Sequence, residues 1–320
     1  MKIQERKLLA DRVLAAIPPK KNAIPYLMEM LGIARESVYR RLRGEVPFTI
    51  DEMDVLSREL GFSVDELLGE AVERRALFRL GSGYTDSAEE TFVNMYHLLR
   101  DSKVFSVVTP HREIVASLNR LYPVFSPGTG PLLKFFYYEW VHQIQNVPVT
   151  SRYADVVVPK RVYDAHNSVR WDVLFSSNMT LITERNMVVN TLRKLDYLFR
   201  LDFIMREEVA DIKSDLVNVI DSMEALMAAG THKGGEFNFY LSEFDVTQNS
   251  INVRVDDLMS SFYWVDPANM MVTIDENMCH FHRRWLHSLK KYSSSISSSN
   301  QALRSEFFAN QRRFLDSIAV

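Results

Sequence analysis

Residues 23–44, AIPYLMEMLGIARESVYRRLRG, constrain this 320-residue chain more than any other stretch. Leu27 and Leu31 lie four apart and share one face of a helix. Asn22 is placed to cap its start, and Pro25 is tolerated because it falls in the first turn, where its missing N–H has no helical partner anyway. Gly32 ends the helix by supplying a left-handed position without a Cβ clash. Ile33 is the buried residue of the turn. The spacing then predicts a second helix from Arg35 to Arg43, stopped by Gly44. Its Val38 and Leu42 face inward. Glu36, Tyr39, Arg40 and Arg43 lie opposite them, with Ser37 on the flank and Arg35 at the opening. Arg41 points towards the packed side, where a long side chain snorkels or reaches a phosphate.

The flanking sequence is also patterned as helix. Leu9, Val13, Ala16 and Ile17 make an amphipathic first helix that ends at Pro18-Pro19. Thr49-x-x-Glu52 is a capping box ahead of Met53, Leu56 and Leu60, and Ser63-x-x-Glu66 is a second box ahead of Leu67 and Leu68. Five helices in about 70 residues predict a compact all-α domain.

The stretch from Leu27 to Leu68 resembles the lambda-repressor/Cro-like (XRE-type) DNA-binding domain. The family's leucine, glycine and valine-like triplet falls on Leu31, Gly32 and Ile33, its recognition helix on Arg35 to Arg43, and its closing glycine on Gly44. The resemblance covers about a fifth of the chain and implies a helix that enters the DNA major groove. It places Arg35, Glu36, Tyr39 and Arg40 near base edges, with Ser37 beside them, and Arg41 and Arg43 near phosphates. Two departures matter: the family often opens its second helix with a glutamine on the DNA backbone, and here that place holds Ile24; the Pro18-Pro19-Lys20-Lys21 loop is also unusual for the family. Lys20 and Lys21 are the substitute anchors. Residues 1–70 hold 11 Lys and Arg against 12 Asp and Glu, so only the local stretch 35–43 is positive. A basic patch suits a specific binder, while the low overall charge predicts weak non-specific affinity.

The chain is long enough for two domains. A net charge of −3 argues against a general polyanion binder. A lone cysteine, Cys279, excludes an internal disulfide framework and suits a reducing cytoplasm. The polar start, MKIQERKLLADR, is not patterned as a signal peptide, and no run of 18 apolar residues offers a membrane span. A cytoplasmic, bacterial protein is expected.

The expected organisation is multidomain. A helix-turn-helix domain (1–70) is followed by a linker (71–85) around Gly81-Ser82-Gly83 and a larger α+β domain (86–320) for effector sensing or dimerisation. In the second part, Ser87-x-x-Glu90 caps a helix bearing Phe92, Met95, Tyr96 and Leu99. KVFSVVT (103–109) has strand character, and Thr109-Pro110 opens a further helix. Residues 132–144, LLKFFYYEWVHQI, form an aromatic helix, and 171–175 and 179–183 form a hairpin. Two long helices span about 184–204 and 206–229. Strands at 236–241, 251–256, 260–265 and 270–274 form an antiparallel meander, and terminal helices run from 276 to 292 and 300 to 318.

No phosphate loop, dinucleotide fingerprint, HExxH, paired CxxC or nucleophile elbow is present, so neither an enzyme nor a cofactor is expected. Met278-Cys279-His280-Phe281-His282, with His287 further on, holds Cys and His at i and i+3 but lacks a third ligand; a half-buried cysteine beside surface histidines is the plainer account, and no metal is expected. The aromatic run Phe135, Phe136, Tyr137, Tyr138 and Trp140 is core or subunit interface before it is a ligand pocket. The expected partners are double-stranded DNA, a second copy of the chain and a small-molecule or peptide effector, with no membrane. Two alternatives stand beside the DNA-binding regulator: an interaction module whose arginine face takes an acidic protein, and an enzyme in 86–320 with an appended DNA-binding domain.

Overall fold

The apolar stripes of the N-terminal residues meet in one small core. In a computed structural model, α1 (Ile3–Ala16) contributes Leu9, Ala10 and Val13, and Ile17 follows it. The next helix, α2 (Ala23–Leu31), adds Leu27; α3 (Arg35–Leu42) adds Val38; and α4 (Ile50–Leu60) adds Met53 and Leu56 beside Phe48. The structure describes residues 3–18, 21–62, 76–81, 83, 85–102, 109, 111–123, 130–144, 148, 150–171, 177–265 and 268–318. The expected fifth helix, with Ser63, Glu66, Leu67 and Leu68, lies outside them, as does the 103–108 strand segment.

The caps act as the residue types require. Asn22 Oδ1 accepts from the Ile24 N–H at 3.3 Å. Gly32 takes φ +64° and donates to Met28 O at 3.0 Å, which closes α2 and turns the chain into α3. Thr49 and Glu52 form the full capping box of α4. α3 ends one residue earlier than expected, with Arg43 as its C-cap and Gly44 at φ +74°.

Two compact units divide between Leu77 and Phe78. The second is a mixed α/β body built on one sheet, which among the described residues has nine strands in the order β1-β8-β7-β6-β2-β3-β5-β4, with β9 also on β5. Its strands are β1 (Arg79–Leu80), β2 (Arg112–Leu118), β3 (Asn178–Thr183), β4 (Thr231–His232), β5 (Gly235–Ser242), β6 (Ser250–Val255), β7 (Leu258–Trp264), β8 (Met270–Thr273) and β9 (Ser293–Ser295). β3 lies parallel to both β2 and β5; the remaining pairings are antiparallel.

One sheet face carries the main core. Ile114, Ala116 and Leu118 of β2, Phe237 and Phe239 of β5 and Phe262 of β7 pack there against α5 (Ala88–Asp101), α6 (Pro131–Ile144), α7 (Lys160–Asn167), α8 (Met187–Arg200), α9 (Arg206–Ala229) and α11 (Gln301–Ser317). The opposite face is covered by α10 (Glu276–Lys291) through a much smaller apolar contact of Val115, Ile182 and Leu286. Phe135, Phe136, Tyr137, Tyr138 and Trp140 of α6 are all buried in the main core. They therefore offer no outer surface for a subunit contact.

Several expectations are corrected. Arg79 and Leu80, assigned to a linker, pair with Val272 and Met271 of β8 and belong to the second unit's sheet. The helix expected after Thr109-Pro110 is instead β2, whose residues are buried on both faces. A short, doubly buried apolar run has no strand periodicity to mark it. β3 does not form a hairpin with 171–175: β2 and β5 occupy both its edges, and residues 172–176 lie outside those described. Strand 236–241 is not the first arm of a meander. It pairs in parallel with β3, while β6, β7 and β8 follow one another in an antiparallel run. Helix α7 was not foreseen.

Candidate nucleic-acid interface

The face of α3 is set by what holds its other side. Val38 is buried against the core, which turns Arg35, Glu36, Arg40 and Arg43 to solvent and leaves Ser37 and Tyr39 half-buried. Arg35 and Arg43 flank the Tyr39 ring, each guanidinium 5.7 Å from its centroid. Arg35 Nη2 also donates to Tyr39 Oη at 3.4 Å. A cation over an aromatic face is attracted by the ring quadrupole, so Tyr39 organises two arginines spaced four residues to either side of it. Beyond the helix, Glu45 approaches Arg40 at 3.7 Å and Arg43 at 3.6 Å. Glu45 was missed in the sequence because it lies past Gly44, outside any helical spacing.

Arg41 is placed differently from the other arginines. Its Nε donates to Glu52 Oε2 at 2.7 Å, its Nη2 meets Glu52 Oε1 at 2.7 Å, and its Nη1 donates to Ser37 O at 3.2 Å. It joins α3 to α4 inside the unit and does not extend from the arginine face. Burial pushes the Glu52 carboxyl up, but hydrogen bonds from Arg41 and Thr49 and the Arg41 charge outweigh it and hold the group below the ordinary carboxylate value.

Lys21 is exposed just before α2, its ammonium 5.6 Å from the Tyr26 ring centroid. Lys20 lies outside the described residues. A shallow groove between α2 and α3 is walled by Asn22, Ile24, Pro25, Met28, Arg35 and Tyr39. Ile33 and Glu29 also line it.

The Cys279–His282 segment has a different fate. Cys279 and His282 face the sheet and are buried; His280, Phe281 and His287 are exposed. Ser117 Oγ donates to Gln248 O at 3.0 Å, so it accepts from Ser250 Oγ at 2.8 Å. Ser250 Oγ in turn accepts from His282 Nε2 at 2.9 Å. His282 Nδ1 is left to accept from Ser261 Oγ at 2.9 Å, and Ser261 Oγ accepts from Asn252 Nδ2 at 3.0 Å. This ordered chain selects the neutral Nε2–H tautomer and occupies both ring nitrogens. Burial pushes the His282 pKa down to about 4 and raises the Cys279 thiol above its usual value. Neither group is a poised ligand or nucleophile in this arrangement.

Known families speak to the first unit. Residues 6–78 match the BetR domain. This is a helix-turn-helix-type DNA-binding domain, and the match begins within α1 and takes in α2, α3 and α4. No curated protein and no solved structure matches the chain. With the BetR match in place, the exposed face of α3 is the candidate DNA-contacting surface. Among the described residues, no helix is long and apolar enough to cross a membrane.

Proposed function

We propose that this chain is a sequence-specific transcriptional regulator that docks α3 in the DNA major groove in the manner of XRE-type domains. The observation that carries this is the coincidence of the BetR match with an α3 face of three exposed arginines, Arg35, Arg40 and Arg43. Arg35, Glu36 and Arg40 are assigned to base edges, with Ser37 at their flank, and Tyr39 is assigned to ordering Arg35 and Arg43. Lys21 and Arg43 are assigned to phosphates. Arg41 is assigned a positioning role, because its fork is taken by Glu52.

The second unit is proposed to sense an effector, to dimerise, or both. Terminal strands β1 and β4 are two residues each. Such short edges offer little for strand-to-strand pairing, so a dimer would form through side-chain surfaces. A homodimer matches a two-fold symmetric operator. A bacterial cytoplasm is the proposed setting.

Selection of bound duplexes from a random library, followed by a salt-dependent gel shift, tests the function. A recovered palindrome supports both DNA reading and the dimer. Recovery of no sequence, with binding to an acidic protein instead, overturns the proposal in favour of an interaction module.

A further inference from the structure

We infer that Glu45 is a specificity-determining residue: its carboxylate retains Arg40 and Arg43 when a duplex offers only phosphates, and yields Arg40 to a matching base edge and Arg43 to the phosphate beside it. The inference rests on the DNA-binding function proposed above.

Three observations lead to it. First, Glu45 Oε2 lies 3.7 Å from Arg40 Nε, and Oε1 lies 3.6 Å from Arg43 Nη1, so one carboxylate addresses two of the three exposed arginines. Second, the backbone fixes its place. Gly44 turns at φ +74°, its N–H donates to Arg41 O at 2.9 Å, and the Glu45 and Val46 N–H groups both donate to Arg40 O, at 2.9 and 3.2 Å. The helix end therefore delivers the carboxylate to the arginines. Third, a stabilising role does not account for a carboxylate here. The C-terminus of a helix is the negative end of its dipole and disfavours an anion. The Glu45 side chain is 48% exposed and its arginine partners 55% and 62%. Ion pairs this exposed contribute little to stability.

Its effect is therefore felt where the arginines meet a partner. Phosphates are alike on every duplex, and each arginine that neutralises one releases counterion. A carboxylate already holding Arg40 and Arg43 competes with that uniform gain. A guanine edge offers Arg40 two hydrogen bonds in fixed geometry, which a single distant carboxylate contact does not match. Glu45 thus weakens non-specific binding more than specific binding. The local charge follows the same logic: the positive face is real but kept from acting as a general polyanion trap.

The test compares the full chain and Glu45→Gln on the library-selected duplex and on a random duplex of equal length, by anisotropy across a salt series. Glu45→Gln is expected to tighten random-duplex binding about fivefold and to steepen its salt slope by about one, while the selected site gains less than about twofold. In an Arg40→Ala, Arg43→Ala background the same substitution is expected to change random-duplex binding by less than about twofold. Equal gains on both duplexes, or an undiminished effect without the arginines, overturn the inference and leave DNA binding standing. A parent chain that binds no duplex at low salt overturns the DNA-binding function and this inference together.

Discussion

Arg41 and Glu52 form a two-pronged contact, 2.7 Å on each arm, and the same carboxylate accepts from the Thr49 N–H at 2.9 Å to close the capping box of α4. One side chain therefore caps the start of a helix and ties it to another. The side chains are 14% and 12% exposed, so solvent screens them little. The pair therefore ties α4 to α3, the helix that carries the arginine face.

Arg41→Met is expected to destabilise the first unit by about 2–3 kcal/mol, because it leaves the Glu52 carboxylate partly buried with its main partner gone. Native-state hydrogen exchange over α3 and α4 measures this. The pair's contribution is also pH-dependent. The folded carboxyl is held below its unfolded value, so its stabilisation is present above the unfolded pKa and is lost as pH falls through the lowered folded value. Arg41→Met with unchanged protection in both helices would show that the fork contributes nothing.

The N-terminal unit was largely legible in the sequence, and the reason is that its signals are local. Asn22, Gly32, Thr49 and Glu52 cap or close helices through hydrogen bonds to residues two to four positions away, and residue type predicts such bonds. Arg41's partner lies eleven positions on, so no helical spacing shows the fork, and the sequence alone leaves Arg41 open to a phosphate. The second unit was legible in its helices and poorly in its sheet. β2, β3 and β5 lie side by side in the sheet but far apart in sequence. Nothing in 178–183 records that both its edges are filled by distant strands. Glu45 is a third kind of gap: its relation to Arg40 passes through a glycine turn, which no helical wheel draws.

Arg40 and Lys21 are expected to fail in different ways when removed. Arg40→Ala should lose about 1–3 kcal/mol on the selected site and relax preference at one base pair. Lys21→Ala should weaken all duplexes alike and flatten the salt slope by about one unit. Quantitative gel shifts on the selected site and its single-base variants separate the two. Variants that both bind like the parent rule out the proposed docking.

His282 provides a pH test of the second unit. Its folded pKa is depressed to about 4 by burial, below the usual value near 6.5. A depressed histidine stabilises the fold fully above its unfolded pKa and progressively less as pH falls towards 4. The linkage amounts to about 3 kcal/mol at most between those limits. The loss is expected to concentrate in α10, which packs on the sheet through the small apolar cluster of Val115, Ile182 and Leu286 with flanking Tyr240, Trp285 and Leu289. His282→Gln keeps a donor and an acceptor for Ser250 and Ser261 but does not titrate. Hydrogen exchange of residues 276–291 at pH 7 and pH 5 should show a larger drop in protection for the parent than for the variant. Equal drops would assign the pH response to other groups.

Tyr39 separates organisation of the arginines from direct base contact. Its ring lies between the guanidinium groups of Arg35 and Arg43, and its hydroxyl accepts from Arg35. Each exposed cation–ring contact is worth about 0.5–1 kcal/mol. Tyr39→Leu removes both and is expected to weaken the selected site about five- to twentyfold through loss of arginine order, with little change in stability because the residue is only half-buried. Tyr39→Phe retains the stack and loses one long hydrogen bond of 3.4 Å, so its affinity should stay within about twofold of the parent. If Tyr39→Phe falls as far as Tyr39→Leu, the hydroxyl is reading a base edge and the stack is incidental. If neither variant weakens binding, the arginines find their places without the ring, and the α3 face is organised by the DNA instead.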